Sequence, residues 1–283
     1  MSHLILQSPS LMAAHVEQVA ALVSASGVQE LSRTAVRLLD ADASEQQAVA
    51  AYCEQTRMDY AFLADIQLLR ECRILAMDMD STLVSIECID EIADAVGRKP
   101  QVAAITDAAM RGEIKDFAES LQRRVALLEG VPESALLDVY EQRLRLNPGA
   151  EELIATVKKH GLRTLLVSGG FTFFTERLRE RLGLDACHAN VLEVANGKLT
   201  GRVLGDIVDA QGKAAHLAAL AAALGATADQ IIAVGDGAND LEMMALARYS
   251  VAYRAKPLVR EKAAFALNYS ALDAILNWFR LSF

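Results

Sequence analysis

Two carboxylates separated by a single residue are the first sign of chemistry in this chain. Asp78 and Asp80 directly follow the apolar run 74–77, which predicts a short buried strand. Side chains two positions apart in an extended segment point the same way, so both carboxylates could face one substrate. Open α/β sheets usually place their chemistry at the carboxyl ends of strands. An isolated pair of this kind is also common in solvated turns, so the pair alone does not decide between the two.

Two further polar segments also follow predicted strands, and they favour a catalytic role for the aspartate pair over a solvated turn. The segment 168–170 (Ser-Gly-Gly) ends a strand expected over 162–167, and 235–240 (Gly-Asp-Gly-Ala-Asn-Asp) ends a strand expected over 231–234. Between them, Lys213 stands at the predicted start of a helix. Each segment alone is typical of an ordinary turn, and Lys213 alone is typical of a surface lysine. Their order, each in the right structural context, favours one shared site.

The spacing of apolar residues around these motifs predicts that the chain folds into three parts. Residues 1–70 read as a small α+β unit of the β-α-β-α-β type, with strands over 3–7, 36–39 and 60–66. Residues 86–147 have helical spacing, which predicts a helical cap inserted after the first catalytic strand. Strands alternate with helices in residues 71–85 and 148–283, which predicts an α/β core with a doubly wound, Rossmann-like parallel sheet. That core should include an Asn-Gly hairpin at 196–197, short strands at 249–253 and 265–269, and a closing helix at 272–281.

The four motifs, in this order, resemble those of the haloacid dehalogenase-like superfamily. Within it, the segment 78–84 with Glu87, the cap segment 110–125 and the segment 235–240 are similar to phosphatases that hydrolyse O-phospho-L-serine. The similarity covers roughly residues 72–270 and leaves residues 1–70 outside it. The resemblance implies hydrolysis of phosphoserine to serine and phosphate through an aspartyl-phosphate, as the last step of serine biosynthesis.

The resemblance also implies roles for individual residues. Asp78 would be the nucleophile, Asp80 the acid and then the base, and Lys213 a fixed positive charge on the transferring phosphate. Asp78, Asp236 and the Asp80 carbonyl would hold Mg²⁺, with Asp240 orienting Lys213 or the metal's water shell. The residues implied to bind substrate are Glu87, Met110, Phe117, Arg124, Ser168, Gly169, Lys213 and Asn239.

The charges of phosphoserine suggest what the cap residues would do. Glu87 lies close enough in the chain to the catalytic loop to reach an ammonium group, and the planar fork of Arg124 suits a carboxylate. Phe117 and Met110 could form an apolar lid. Ordinary structural explanations exist for all four, as a helix-start charge, a solvated face and the core of the cap. The resemblance favours the substrate-binding interpretation.

The composition indicates which kinds of partner the protein has and in which cellular compartment it works. The net charge of -9 over 283 residues argues against non-specific nucleic-acid binding. Four scattered cysteines without a C-x-x-C motif predict reduced thiols in a reducing compartment. The most apolar segment is too short to span a bilayer, and the first residues do not form a signal peptide. We therefore expect a cytoplasmic enzyme with a small-molecule substrate and no membrane or nucleic-acid partner.

Alternatives stay open at the level of the sequence. Another phosphomonoesterase, or a phosphotransferase of the same superfamily, would carry the same motifs. A phospho-accepting receiver also has strand-end aspartates and a lysine, but it lacks the helical insertion. Residues 1–70 vaguely resemble half of an ACT-type regulatory domain and fit equally well a stabilising or dimerising appendage, so a homodimer is one compatible state.

Overall fold

The computed structural model describes residues 2–111 and 113–281, without the side chain of Met110. The N-terminal part alternates strands and helices in the order β1 (Ser2–Gln7), α1 (Ala13–Leu22), β2 (Gly27–Ser32), β3 (Ala35–Ala41), α2 (Gln46–Thr56) and β4 (Asp59–Leu63). Its strands form an antiparallel sheet in the order β2-β3-β1-β4. This is the split β-α-β arrangement of ferredoxin-like domains. The predicted β-α-β-α-β unit lacks one strand, β2, which the sequence pattern did not indicate.

The cap follows the first strand of the second sheet, β5 (Ile74–Met77). A tight turn over Met79–Leu83 leads out of β5 into the cap. The cap helices are α3 (Cys88–Ala95), α4 (Lys99–Met110), α5 (Phe117–Ala126) and α6 (Ser134–Asp138), continued by a wider helical turn over Val139–Arg143. Buried apolar side chains on α3 and α5, such as Ile92, Leu121 and Val125, face inward and hold the cap together. Its predicted helical character is confirmed.

The rest of the chain completes the α/β core. Its elements are α7 (Ala150–Lys159), β6 (Arg163–Phe171), α8 (Thr172–Leu182), β7 (Ala186–Ala195), β8 (Lys198–Leu204), α9 (Ala210–Leu224), β9 (Ile231–Gly235), α10 (Leu241–Met244), β10 (Tyr249–Tyr253), α11 (Pro257–Lys262) and β11 (Phe265–Leu267). In the part of the chain that the structure describes, seven strands lie in the order β11-β10-β9-β5-β6-β7-β8. All neighbours are parallel except β7 and β8. The predicted doubly wound fold is confirmed, with one antiparallel strand at its edge.

The short strand β5 shows why this sheet is buried on both faces. Leu75 and Met77 belong to an apolar cluster on one face, whereas Ile74 and Ala76 belong to a cluster on the other. Side chains alternate between faces in a strand, so a continuous apolar run needs cover on both sides. The four residues of β5 are all buried. The functional motifs therefore begin where this rigid, fully covered strand ends.

Two smaller predictions differ from the structure, and a third is confirmed. The segment 168–170 was expected as a turn, but it continues β6, and α8 begins only at Thr172. The closing segment was expected as a helix over 272–281 and is a shorter 3₁₀ helix, Leu272–Trp278. The hairpin at Asn196-Gly197 is confirmed, with positive φ angles of 51° and 71° that match a type I′ turn. Its two strands are longer than the pattern indicated.

The N-terminal domain and the core share buried contacts. Ile5, Ala61 and Leu63 on one face of the antiparallel sheet join the same apolar cluster as Trp278 of the core. The buried Asp59 carboxylate accepts hydrogen bonds from the backbone N–H groups of residues 268, 269 and 270, at 2.7, 3.1 and 2.7 Å. The predicted boundary near residue 70 is therefore a change of sheet and not a break in packing.

None of the described helices combines the length and the apolar character that crossing a membrane requires. The four cysteines are free, and Cys53, Cys72 and Cys88 are buried. Three of the four are therefore core thiols, whereas Cys187 is half-buried.

Candidate active site

The two motif aspartates leave β5 on a sharply bent backbone. Asp78 is only 6% exposed, and its N–H donates to the Val234 carbonyl of β9 at 3.0 Å. Ser81 adopts a positive φ of 57° inside the turn that follows. The turn brings the half-buried Asp80 carboxylate back to the start of α3, where Oδ1 accepts from the Cys88 N–H at 3.1 Å. Both carboxylates consequently line the same cavity.

Lys213 lies fully buried between two of the carboxylates. Its Nζ donates to Asp78 Oδ1 at 2.6 Å and to Asp240 Oδ1 at 2.7 Å. Burial lowers the pKa of Lys213, but the charges of Asp240 and Asp78 outweigh that effect and raise it above its ordinary value. A lysine in this setting stays charged. The helix α9 thus delivers a permanent positive charge directly behind Asp78.

Asp240 serves as the support of this arrangement. While Oδ1 accepts from Lys213, Oδ2 accepts from the backbone N–H groups of Asp236 and Gly237, at 3.1 and 2.9 Å. A side chain at Gly235 would place its Cβ 2.5 Å from the Asp240 carboxylate carbon. Only glycine lets the end of β9 approach Asp240 so closely. Asp240 therefore fixes both Lys213 and the loop that carries Asp236.

Asp78, Asp236 and Asp240 form an acidic group whose oxygens lie within 4.8 Å of one another. Both oxygens of Asp240 already hold donors, so Asp78 and Asp236 are the carboxylates with coordinating capacity left. Burial and the charge of Asp240 raise the pKa of Asp236 to about 7, and the same causes raise the pKa of Asp78. An excess of buried negative charge and oxygen-only donors fit a hard divalent cation such as Mg²⁺. The residues present therefore suit the implied metal.

The segment 168–170 forms the opposite wall. The buried Ser168 Oγ accepts from the Gly170 N–H at 2.8 Å, and the Gly169 carbonyl accepts from Asn190 at 2.9 Å. A Cβ at Gly170 would meet Asp80 Oδ2 at 2.7 Å, and one at Gly169 would meet the Phe117 ring at 2.8 Å. The two glycines thus keep the backbone open toward the carboxylates and the cap. This wall is the irregular end of strand β6, where the sequence indicated a turn.

The cavity between core and cap has a volume of about 550 Å³. Its cap side includes Glu87, Phe117 and Arg124, and Asn239 lies on its core side. Ser81 Oγ donates to Glu87 Oε1 at 2.6 Å. Burial lowers the pKa of Arg124, while Asp90, Glu87 and Asp80 oppose that effect from a distance. Among the described residues, no carboxylate forms an ion pair with Arg124, whose Nε donates to the Ser120 carbonyl at 3.3 Å.

The structure thus brings together every sequence-predicted site residue whose side chain it describes. The Met110 side chain lies outside the described residues. Two of the described members, Lys213 and Asp240, do not line the cavity, since both are fully buried and Lys213 contacts Asp78 from behind.

Three residues near the site had no role in the sequence interpretation. Thr82 Oγ1 donates to Asp236 Oδ1 at 2.9 Å and links the turn after β5 to the loop after β9. Asn190 bridges the Gly169 carbonyl and the Val208 N–H, just before α9. Lys256 lines the cavity from the loop after β10. Thr82 stood inside a recognised motif and could have been found there, whereas only the fold brings Asn190 and Lys256 near.

Comparisons with known proteins find similar proteins over most of this chain. A family model described as haloacid dehalogenase-like hydrolase matches residues 75–245, and a model described only as a domain of unknown function matches residues 4–49. A curated phosphoserine phosphatase of Polaromonas sp. (strain JS666) is 56% identical over 213 residues, which cover 74% of this chain and 90% of the relative.

Similar solved structures are also described as phosphoserine phosphatases. A probable phosphoserine phosphatase from Vibrio cholerae is 38% identical, with a TM-score of 0.84 over 98% of this chain and 85% of that chain. A structure described as the phospho-aspartyl intermediate analogue of phosphoserine phosphatase is also 38% identical, with a TM-score of 0.69 over 74% of this chain and 99% of that one. The first match spans both the N-terminal domain and the core.

Proposed function

This chain belongs to the haloacid dehalogenase-like hydrolase family, and we propose that it hydrolyses O-phospho-L-serine to L-serine and phosphate through a phosphorylated Asp78. The observation that carries the proposal is the position of Asp78. One oxygen of this carboxylate is held by the buried Lys213, and the residue lines a cavity whose opposite side carries an Arg124 without an ion pair among the described residues. The nucleophile Asp78 and the cation Arg124, which can bind a carboxylate, therefore line the same cavity, and the fixed positive charge of Lys213 contacts Asp78.

The chemistry of the chain's own residues follows from their contacts. Asp78 attacks phosphorus with its Oδ2, while Lys213 holds Oδ1 and offsets the charge that builds up on the phosphoryl oxygens. Asp80 donates a proton to the departing serine oxygen as the phosphorus–oxygen bond breaks. Burial and the charge of Glu87 raise the pKa of Asp80 to about 7, so a protonated fraction exists near neutral pH. Asp80, now ionised, then takes a proton from the water that attacks phosphorus, and the bond between phosphorus and Asp78 Oδ2 breaks, which releases phosphate and restores the Asp78 carboxylate.

The walls of the cavity position the phosphate. Ser168 Oγ and the backbone N–H of Gly169 lie in the same cavity as Asp78, where they can donate to phosphoryl oxygens, whereas the Gly170 N–H already donates to Ser168 Oγ. Gly169 and Gly170 have no side chains to block that approach. Asn190 keeps the same segment in place from behind.

Mg²⁺ would be held by the carboxylates of Asp78 and Asp236 and by the backbone carbonyl of Asp80. When bound, it neutralises charge as an anionic nucleophile meets an anionic phosphate. Thr82 and Asp240 orient the Asp236 side of this group by donating to its carboxylate and by accepting from its N–H.

The cap supplies selectivity. Glu87 would pair with the substrate ammonium and Arg124 with the substrate carboxylate, with Phe117 closing over the segment 168–170. Met110 would complete the apolar lid, and Asn239 would contact the substrate from the core side. Such an enzyme would act last in serine biosynthesis. The free cysteines suit a reducing compartment such as the cytoplasm.

A panel of phosphomonoesters tests the proposal. With Mg²⁺ present, we expect phosphoserine to give the highest kcat/KM, ahead of phosphothreonine, phosphoethanolamine and p-nitrophenyl phosphate. A chelator should abolish release of phosphate, and added Mg²⁺ should restore it. Turnover of phosphoserine no faster than that of p-nitrophenyl phosphate, or full activity in chelator, would contradict the proposal. An acceptor alcohol in the assay would reveal a phosphotransferase through a drop in free phosphate.

A further inference from the structure

The active-site cavity is acidic although its proposed substrate is an anion. Among the described residues, five carboxylates and three cationic side chains line it. The cations are Lys115, Arg124 and Lys256, because Lys213 is buried beneath the floor. The whole chain carries a net charge of -9, which also repels phosphate esters. A cation at the mouth of the cavity would therefore have a large effect on how fast substrate arrives.

Lys256 occupies such a position. It follows β10, whose end lies at the same edge of the sheet as β5 and β9, and its N–H donates to the Asp236 carbonyl at 3.3 Å. Its side chain is exposed and lines the cavity. Among the ion pairs formed by the described residues, those within the cavity region belong to Lys213, and Lys256 takes part in none. The ammonium group is thus available to an incoming anion.

The backbone before Lys256 is held in an unusual conformation. Arg254 has a positive φ of 45°, which is uncommon for a residue with a side chain. Its N–H donates to the Leu267 carbonyl of β11 at 2.7 Å, so the sheet itself maintains this conformation. Ala255 then turns inward and is 9% exposed. Backbone strain of this kind is often retained near functional sites, and here it lies two residues before the lysine that lines the cavity.

We propose that Lys256 captures the phosphate group of the substrate at the mouth of the active site and hands it to the buried cluster around Asp78. The inference rests on the proposed phosphatase function and adds a residue to it. Lys256 acts on the encounter and on phosphate affinity. The bond-breaking steps belong to Asp78 and Asp80, so the turnover number should not depend on Lys256. The exposed ammonium acts through solvent, which makes its contribution sensitive to salt.

The test compares Lys256→Gln with Lys262→Gln. Lys262 is the last residue of α11, is also exposed, and does not line the cavity, so the two variants each lose one positive charge, at opposite ends of the same short helix. At low ionic strength, Lys256→Gln should lower kcat/KM for phosphoserine by about three- to fivefold, through KM alone. In about 0.5 M salt, where the Debye length is about 4 Å, the difference should fall below about twofold. Lys256→Arg should behave like the parent protein.

Calorimetric titration of inorganic phosphate into the Mg²⁺-loaded protein gives a second measure that needs no turnover. Phosphate affinity should fall in Lys256→Gln and stay unchanged in Lys262→Gln. Equal affinities and equal salt dependence in the two variants would overturn the role of Lys256. A lower kcat with KM and phosphate affinity unchanged would overturn it as well. If the parent protein bound phosphate but failed to hydrolyse phosphoserine, the proposed function would be wrong. The phosphate affinities of the two variants would still test whether Lys256 binds phosphate.

Discussion

Among the described residues, buried charged side chains are paired with one another on the core side of the active-site cavity, whereas the charged side chains on the cap side are not. On the core side, Lys213 makes two short ion pairs, and Asp240 uses both of its carboxylate oxygens. On the cap side, Arg124 has no ion-pair partner among the described residues, and Glu87 is exposed with one bond from Ser81. The core side is complete without a substrate, whereas the cap side keeps its charges available.

This difference assigns different tasks to the two sides. A preorganised charge cluster does not have to rearrange during the reaction, which suits the transfer of a phosphoryl group common to many esters. Charges that stay unpaired until substrate arrives can distinguish one ester from another, because an unsatisfied partner is costly. We therefore expect changes on the core side to reduce stability and turnover on every substrate. Changes on the cap side should reduce only selectivity.

The largest effect should come from Lys213→Met. The change leaves Asp78 and Asp240 buried without their shared counter-charge, and breaking a buried pair in this way costs about 3–5 kcal/mol of unfolding free energy. Turnover should be lost on every ester. Denaturant unfolding in the presence of a chelator measures the stability term without compensation by a metal.

Arg124→Met is the matched control for that experiment. It removes a cationic side chain of similar length from the cap side, where no ion pair is broken among the described residues. We expect a loss of less than about 1 kcal/mol of unfolding free energy. Equal losses in the two variants would mean that the cap side is as tightly coupled as the core side.

Selectivity should change most in Arg124→Ala. The variant should lose about 2–5 kcal/mol of transition-state binding for phosphoserine, the range for truncating one partner of a buried charge pair. Phosphoethanolamine has no carboxylate and should be hydrolysed almost as well as before. The kcat/KM values of both esters in parent and variant give the comparison, and an equal loss on both would make Arg124 a structural residue of the cap.

A smaller effect is expected for Glu87→Gln. The amide keeps an oxygen that can accept the bond from Ser81, so the local structure should persist while the negative charge is removed. Phosphoserine should be hydrolysed about tenfold less efficiently, a loss of about 1.4 kcal/mol. Phospholactate, which lacks the ammonium, should be unaffected. A loss that is the same for both esters would show that Glu87 does not read the ammonium group.

The sequence predicted the parallel core well because its signals are local and strong. The strand β5 is a continuous apolar run that ends in polar residues, and β9 repeats that pattern before 235–240. Asn196-Gly197 specifies its hairpin through the positive φ angles that those residues tolerate. The spacing of apolar residues in α3 and α5 likewise indicated the helical cap. In each case the fold satisfies what the local residues already favour.

Other features depend on contacts that a local pattern does not contain. The edge strand β2 carries mostly exposed residues and pairs only with β3, so no alternation marks it. The segment 168–170 has the composition of a turn, yet hydrogen bonding between β6 and β7, with an irregularity before Phe171, keeps it in the strand. Lys256 reaches the cavity only because the sheet order places β10 beside β9. Nothing in the sequence around Asp59 indicates its role, because the three backbone N–H groups that donate to it belong to the distant residues 268–270.

The most direct test of the account is to locate the phosphate on the protein during turnover. The Mg²⁺-loaded enzyme would be mixed with labelled phosphoserine, quenched in acid within milliseconds and digested, and the labelled peptide identified by mass spectrometry. We expect a burst of base-labile phosphate on Asp78, absent in Asp78→Asn, which should also lose turnover while keeping the fold of the parent. Label on another residue, or label that persists in Asp78→Asn, would contradict the assignment of Asp78 as the nucleophile.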